Sequence, residues 1–395
     1  MRETVRTNKM ECTGCGACVS VCPKHAITMQ PDEEGFLYPV VDQKACISCD
    51  LCEKRCPTDK QKQERRVAVL GAQNLDREIR AASSSGGVFT ALAQDMIARG
   101  GVVFGAVFDE ALNVEHVGAM DLREIAAMRG SKYVQSASAE AIEHAAQLLA
   151  CGMPVLFSGT PCQIDGLLAR LHGKNTEQLI TVDIVCHGTP SPGVFASYIK
   201  ELEKMRGAKV TAYSFRDKRF GWKDFAAVAT FEDGSEHVGT QRDEPYLRGF
   251  LANLYLRPSC TACSQLRGAR HVSDLTLADL WGAHELYPAE DDDTGLSLVI
   301  VNTQKGMKAI EACAKTIRTF EAEKNGMLRF NPSLDSTAAA HRKRKAFFAA
   351  YKKRGFERKT VEKLLAPMSK PEKIVRRIAH LPAGALRRIR ALLSK

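Results

Sequence analysis

The stretches CTGCGACVSVCP, residues 12–23, and CISCDLCEKRCP, residues 46–57, are two copies of one pattern, C-x2-C-x2-C-x3-C-P. Three thiolates at that spacing wrap one face of a [4Fe–4S] cube, and the fourth, beyond a short turn, reaches across to a second cube. The repeat therefore assigns Cys12, Cys15, Cys18 and Cys56 to one cluster and Cys46, Cys49, Cys52 and Cys22 to the other. Pro23 and Pro57 are expected to stop a short helix after each fourth cysteine. Gly14 and Gly16 are expected to keep side chains off the cluster, so that backbone N–H groups approach the sulfurs. Zinc takes paired C-x2-C hooks rather than a four-cysteine run repeated with prolines.

Working outward, residues 1–60 read as a bacterial 2[4Fe–4S] ferredoxin-like module, and the polar connector PTDKQKQERR, residues 57–66, marks its boundary. A chain of 395 residues has room for two or three domains. No apolar run approaches the length of a membrane-spanning helix, and MRETVRTNKMEC lacks the apolar centre of a secretory signal. The expected location is the cytoplasm. Fourteen cysteines in such a chain read as metal ligands or thiols rather than disulfides.

From residue 67 the pattern changes to strands alternating with helices, which implies a mixed α/β domain over residues 67–330 with a partly parallel sheet. VAVLGAQ, GVVFGAVFD, PVLFSG and LITVDIVC read as strands, with LNVEHVGAM as a hairpin partner. SGGVFTALAQDMIARG and residues 163–171 read as helices, and Pro190 and Pro192 open another. In such sheets ligands gather at the carboxyl ends of the strands. Cys162 follows one strand end, in SGTPC, and Cys186 follows the next, in VCHG. RPSCTAC adds Cys260 and Cys263 as a C-x2-C hook. Four thiolates suffice for a third [4Fe–4S] cluster; a structural zinc or buried inert thiols fit the spacing equally well. Cys151 and Cys313 have no partner at ligand spacing and are expected in the core.

The order SSSGG (83–87), GSKYVQS (130–136), GTPCQIDGL (159–167), VCHGTPSP (185–192), FRDKRFGW (215–222), RPSCTAC (257–263), LADLWG (277–282) and TGLSLVIVNTQKG (294–306) resembles the beta-subunit family of coenzyme F420 hydrogenases and dehydrogenases. That family also includes a plant chlorophyll-cycle reductase. The resemblance covers about residues 5–320, with one departure at Ala278, where the family more often has glycine. It implies a flavin, FAD or FMN, beside a [4Fe–4S] cluster held by Cys162, Cys186, Cys260 and Cys263. A flavin, stable in one- and two-electron states, converts between cluster chemistry and a two-electron substrate.

The residues that the resemblance offers to the flavin are Ser83, Ser85, Gly86 and Gly87, then Gly130, Ser131, Lys132, Tyr133 and Gln135. SSSGG precedes a helix, so its N–H groups could hold a phosphate or the ring edge, or its serines could simply cap the helix. Lys132 could face a reduced flavin or pair with a surface acid; Tyr133 could stack on the ring or sit in the core. No G-x-G-x-x-G, C-x3-C-x2-C or G-x4-G-K-[ST] motif occurs, which argues against a dinucleotide-binding Rossmann site, radical chemistry on S-adenosylmethionine and a P-loop nucleotidase.

The charge of +10 is uneven. Residues 341–395 carry 18 Lys and Arg against three Glu, whereas residues 1–340 carry 38 basic against 43 acidic residues. HRKRKAFFAAYKKRGF reads as a helix with a stripe of Phe347, Phe348 and Tyr351. PEKIVRRIAHLPAGALRRIRALLSK reads as a basic amphipathic segment. Residues 341–395 thus form a basic helical tail suited to an anionic membrane surface at the inner face, an acidic partner, or the chain's own acidic body. No nucleic acid is expected, because the tail lacks a stacking motif.

Together these features describe a flavin-dependent iron–sulfur oxidoreductase. It would exchange electrons with a small-molecule donor or acceptor and with a ferredoxin, hydrogenase or dehydrogenase-type partner. The alternatives are an electron-relay subunit without its own substrate site and a zinc-stabilised binding module.

Overall fold

A computed structural model describes residues 8–59, 66–263 and 272–367. In chain order the strands are β1 (Ile27–Pro31), β2 (Leu37–Val41), β3 (Ala68–Asn74), β4 (Val102–Phe108), β5 (Val114–Ala119), β6 (Val155–Gly159), β7 (Leu179–Ile184), β8 (Val210–Asp217), β9 (Ala226–Phe231), β10 (Glu236–Thr240), β11 (Leu275–Asp279), β12 (Ser297–Val301) and β13 (Ile317–Glu321). β1 and β2 form a hairpin, β8 to β10 a small antiparallel sheet, and the rest one sheet in the order β13-β3-β12-β11-β7-β6-β4-β5.

The centre of the large sheet is parallel, β4 beside β6, β6 beside β7 and β7 beside β11, with antiparallel strands at both flanks. Alternation along β4 shows why both faces are covered. Val103 and Val107 face Val88, Leu92 and Met96 of the helix Val88–Ala98, while Val102 and Phe104 face Ile142 and Ala145 of Ala139–Ala150 and Ile164 of Pro161–Arg170. Every residue of β12, SLVIV, is buried, as an interior strand under two helical layers requires.

The ferredoxin-like module does not carry a core of its own. Phe36 and Tyr38, at the turn and second strand of its hairpin, join a cluster with Phe195, Tyr246, Phe347 and Val361. The two cysteine runs form single helical turns, Ala17–Ser20 and Leu51–Lys54. Both turns end before the fourth cysteine, so Pro23 and Pro57 do not stop them. Pro57 instead opens a 3-10 turn, Pro57–Asp59.

The start of the basic tail is a helix, Arg344–Arg354, followed by Arg358–Leu365. Its aromatic stripe faces inward: Phe347 and Phe348 are 1% and 3% exposed, and Phe348 meets Phe36 at 6.4 Å. The amphipathic segment from Ile374 to Leu393 lies outside the described residues, as do residues 60–65 of the connector. Cys313 is buried as expected, but Cys151 is exposed, because it follows the last turn of Ala139–Ala150 where the chain leaves the surface. No helix among the described residues is long and apolar enough to cross a membrane.

Candidate functional site

β6 and β7 are paired from Val155 opposite Leu179 to Gly159 opposite Asp183. Their carboxyl ends therefore release Cys162 and Cys186 side by side. Cys162 sits in the first turn of Pro161–Arg170, where Pro161 pre-sets the helical backbone and the Gln163 side-chain Oε1 accepts from the Thr160 N–H at 2.9 Å. The hook is a short 3-10 segment, Pro258–Ala262, tied to the loop after β7 by the Thr189 N–H donating to Cys260 Sγ at 3.4 Å.

The thiols fall into three groups by the charges they feel. Burial pushes Cys162 up to about 12, and its thiolate is opposed further by Cys263 and Cys260. Burial likewise raises Cys186, with Cys260, Cys162 and Cys263 adding to the rise, and Cys260, pushed up to about 11. In the N-terminal module burial raises Cys18 to about 12, with Cys12 and Cys56 as its nearest opposing thiols. Burial raises Cys52, opposed by Cys49 and Cys22, and a small cavity is walled by Cys22, Cys46, Cys49 and Cys52. Such crowded sulfurs ionise only against a cation, which is the chemistry of an iron–sulfur ligand set. Among the described residues no three His, Cys, Asp or Glu side chains gather as a single metal ion would require.

The three expected cysteine sets are neighbours of one another. Cys18 of the inner N-terminal quartet feels Cys52 of the outer one, and Cys15 feels Cys162 of the central one. Gly166, one turn beyond Cys162, makes that approach: a Cβ there would lie 3.1 Å from Cys15 Cβ and 3.3 Å from its sulfur. Gly14 and Gly16 serve contact with the central domain in the same way. Both have left-handed backbones, φ 73° and 81°, and a Cβ would meet Gln135 Nε2 at 2.5 Å or Ala139 at 2.9 Å.

Beside the central quartet lies a cavity of about 610 Å³. Its wall includes Cys162 and Cys186, the loop residues Thr13 and Gly14 of the inner quartet, and Ser83, Ser85, Gly87, Gly130, Ser131, Lys132, Tyr133 and Gln135. Gly86 is not on that wall. It packs beneath, its N–H donating to Ser297 Oγ at 2.9 Å, where a Cβ would strike Ala72 O at 2.5 Å. The serines do not cap the following helix, whose N-cap is Gly87 at φ 82°. Ser83 donates back to Ile79 O in the helical turn Arg77–Ala81 at 2.7 Å, and Ser85 donates to Leu296 O beside β12 at 2.8 Å, so Ser85 fastens the loop to the sheet.

Among the described residues Lys132 pairs with no surface acid. Its Nζ donates to the carbonyls of Ala127 and Arg129 at 2.7 and 2.9 Å, and burial pushes it down to about 7. The Tyr133 ring stacks on Phe250 at 4.6 Å and keeps an edge on the cavity. Arg216 and His116 are among the wall residues outside the set predicted from sequence. Arg216 is clamped bidentately by Asp279 at 3.0 and 3.2 Å, lies over Phe225 at 4.1 Å, and donates to Tyr133 Oη. Burial opposes its charge, but Asp279 more than offsets that and holds the guanidinium above its ordinary value. Trp222 Nε1 donates to the same carboxylate at 2.8 Å and stacks on Trp281 at 4.8 Å. The FRDKRFGW and LADLWG motifs contained all four residues; only the fold shows that they meet. His116 is the second: burial pushes it down to about 4, its Nε2–H donates to Ser158 O at 3.0 Å, and its Nδ1 accepts from Ser136.

A 4Fe-4S dicluster module packed against a mixed α/β domain, with Cys162 and Cys186 on the wall of its cavity, defines the class as an iron–sulfur protein. Family models agree. Those for the beta subunit of coenzyme F420 hydrogenase/dehydrogenase match the chain in two parts, the N-terminal model over residues 69–143 and the C-terminal model over residues 152–325. A 4Fe-4S dicluster domain matches residues 11–60. The chain belongs to the coenzyme F420 hydrogenase/dehydrogenase beta-subunit family and carries a 4Fe-4S dicluster domain at its N-terminal end. An uncharacterized ferredoxin of Methanocaldococcus jannaschii is 37% identical over 59 residues, 15% of this chain and 75% of that protein. Among solved structures, a chain of the F420-reducing [NiFe] hydrogenase complex from Methanosarcina barkeri matches with a TM-score of 0.47 and 18% identity, covering 77% of this chain and 95% of that one.

Proposed function

We propose that the chain is an iron–sulfur flavoprotein oxidoreductase in which the outer, inner and central cysteine quartets each hold a [4Fe–4S] cluster and the cavity holds a flavin. The observation that carries this reading is the shared wall: Cys162 and Cys186 border the same cavity as the SSSGG and GSKYVQS residues. Clusters exchange single electrons, and a flavin would supply the conversion to a two-electron exchange with a soluble substrate.

The residues present fit that group. Gln135 Nε2, Arg216 Nε and Asn331 Nδ2 are buried N–H donors at the cavity with no protein acceptor among the described residues. Buried donors in that state call for acceptors on a bound molecule, and a flavin ring edge and its phosphates are acceptor-rich. Tyr133, Phe225 and Trp281 supply the apolar walls. Arg216, fixed by Asp279, presents a rigid N–H donor at the wall, oriented without moving toward an acceptor on a bound molecule. Membership of this family supports a hydrogenase- or dehydrogenase-type partner and a small-molecule donor or acceptor.

Iron, zinc and flavin per chain, measured on protein purified without oxygen, test the reading. About twelve irons with one flavin are expected. About eight irons, with zinc or nothing in the central quartet and no flavin bound on addition, would overturn it.

A further inference from the structure

Arg257 is 1% exposed, yet among the described residues its side chain meets no carboxylate. Its guanidinium donates to Cys12 O at 2.9 Å, to Leu37 O at 3.0 Å, to Gln135 Oε1 at 3.2 Å and to Cys12 Sγ at 3.6 Å. It lies over the Tyr38 ring at 4.0 Å. Among the described residues, those acceptors are all uncharged except the sulfur once it ligates iron. The backbone of Arg257 belongs to the other side of the site: its N–H donates to Thr189 O at 2.9 Å, and its carbonyl accepts from Cys260 N at 3.1 Å. One residue thus joins the wall of the central quartet to the inner N-terminal quartet.

A buried cation without an anion is costly unless something negative completes it. A cluster on four thiolates is that anion, and it gains one further negative charge each time it accepts an electron. The N–H···S bond and the fixed charge both favour the reduced state, while the guanidinium itself takes up neither electron nor proton. We propose that Arg257 is the buried counter-charge of the cluster held by Cys12, Cys15, Cys18 and Cys56, and holds that cluster's reduction potential above the value the cysteines alone would give. The inner cluster then retains the electron where Thr13 and Gly14 reach the cavity wall and Cys15 reaches the helix of Cys162. This rests on the reading that the inner quartet carries a [4Fe–4S] cluster.

The test is a potentiometric EPR titration of the full-length chain, anaerobically purified, as wild type, Arg257→Met and Arg257→Lys, with Cys18→Ser assigning the inner signal. The expected result is a negative shift of that midpoint in Arg257→Met, a smaller one in Arg257→Lys, and no shift in the outer cluster. Unchanged midpoints with full iron content would overturn the inference. Absence of the inner cluster from the wild type would instead remove the reading beneath it. Should Arg257→Met lose iron, wild-type protein carrying guanidino-nitrogen-15 arginine decides. A nitrogen coupling to the reduced inner cluster in pulsed EPR supports the assignment, and its absence defeats it.

Discussion

Arg344 grips Glu34 from the far end of the chain: its Nη1 donates to Oε1 at 3.1 Å across 310 residues of sequence, with both side chains 16% exposed. Lys352, two turns on, reaches Glu33 at 2.8 Å, and Phe348 packs on Phe36. The hairpin of the iron–sulfur module is thereby pinned to the first helix of the basic tail, for which the chain's own acidic body was one of the expected surfaces.

Loss of this grip should be felt throughout the fold. Arg344→Ala is expected to cost about 2 kcal/mol, because it leaves the half-buried Glu34 without its charged donor. Phe347→Ala is expected to cost about 3–5 kcal/mol through the cavity it opens. Denaturant midpoints measure both; an Arg344→Ala midpoint equal to the wild type would class the pair with exposed bridges of no net worth.

The Arg216–Asp279 pair predicts a hierarchy. Asp279→Ala strands a buried guanidinium and is expected to cost about 3–5 kcal/mol. Trp222→Phe removes one neutral donor from the same carboxylate and is expected to cost about 1 kcal/mol. Equal losses in urea melts would show that the carboxylate is not what holds Arg216.

Acid should destabilise the chain partly through His116. Burial holds its folded pKa at about 4, below the 6.5 of the unfolded chain. Between those values the unfolded chain binds the extra proton, so stability is fully present above about pH 6.5 and is lost as pH falls toward about 4. Relative to His116→Gln, wild type should lose about 2 kcal/mol between neutral pH and about pH 5. Parallel stability profiles for the two proteins would contradict this.

Cys162→Ser should remove about four irons and leave about eight, because the N-terminal quartets are built without the strand end. Iron analysis with the EPR of the reduced protein checks it, and loss of all the iron would show that the quartets are not independent sets.

Much of this was legible from residues. Ligand spacing in the two runs is local, so the 4Fe-4S dicluster domain could be read directly. Cys162 and Cys186 needed one further step, the inference that two apolar runs pair side by side, and β6 and β7 do. The partnership of Arg216, Asp279 and Trp222 could not be read that way, because it joins residues 57 to 63 positions apart through the meeting of two sheets. Gly14 and Gly16 were read as clearance for a cluster, whereas the space they leave is taken by Gln135 and Ala139 on another domain. The tail's charge left a membrane, a partner and the chain's own body all open: hydropathy marked Phe347 and Phe348 as a stripe, and which surface they cover depends on Phe36 and Tyr255, far away in sequence.

The hairpin's burial also sets an order of manufacture. Phe36 leaves the ribosome early, whereas Phe347 and Arg344 follow some 310 residues later, which at ordinary elongation rates means roughly 15 to 60 seconds. Throughout that interval the nascent module has its cysteines but not the helix that closes over its hairpin. Iron and sulfide delivered then meet an open site; delivered after release, they meet one already clasped. Maturation of this protein is therefore a race between metal supply and the arrival of the helices Arg344–Arg354 and Arg358–Leu365.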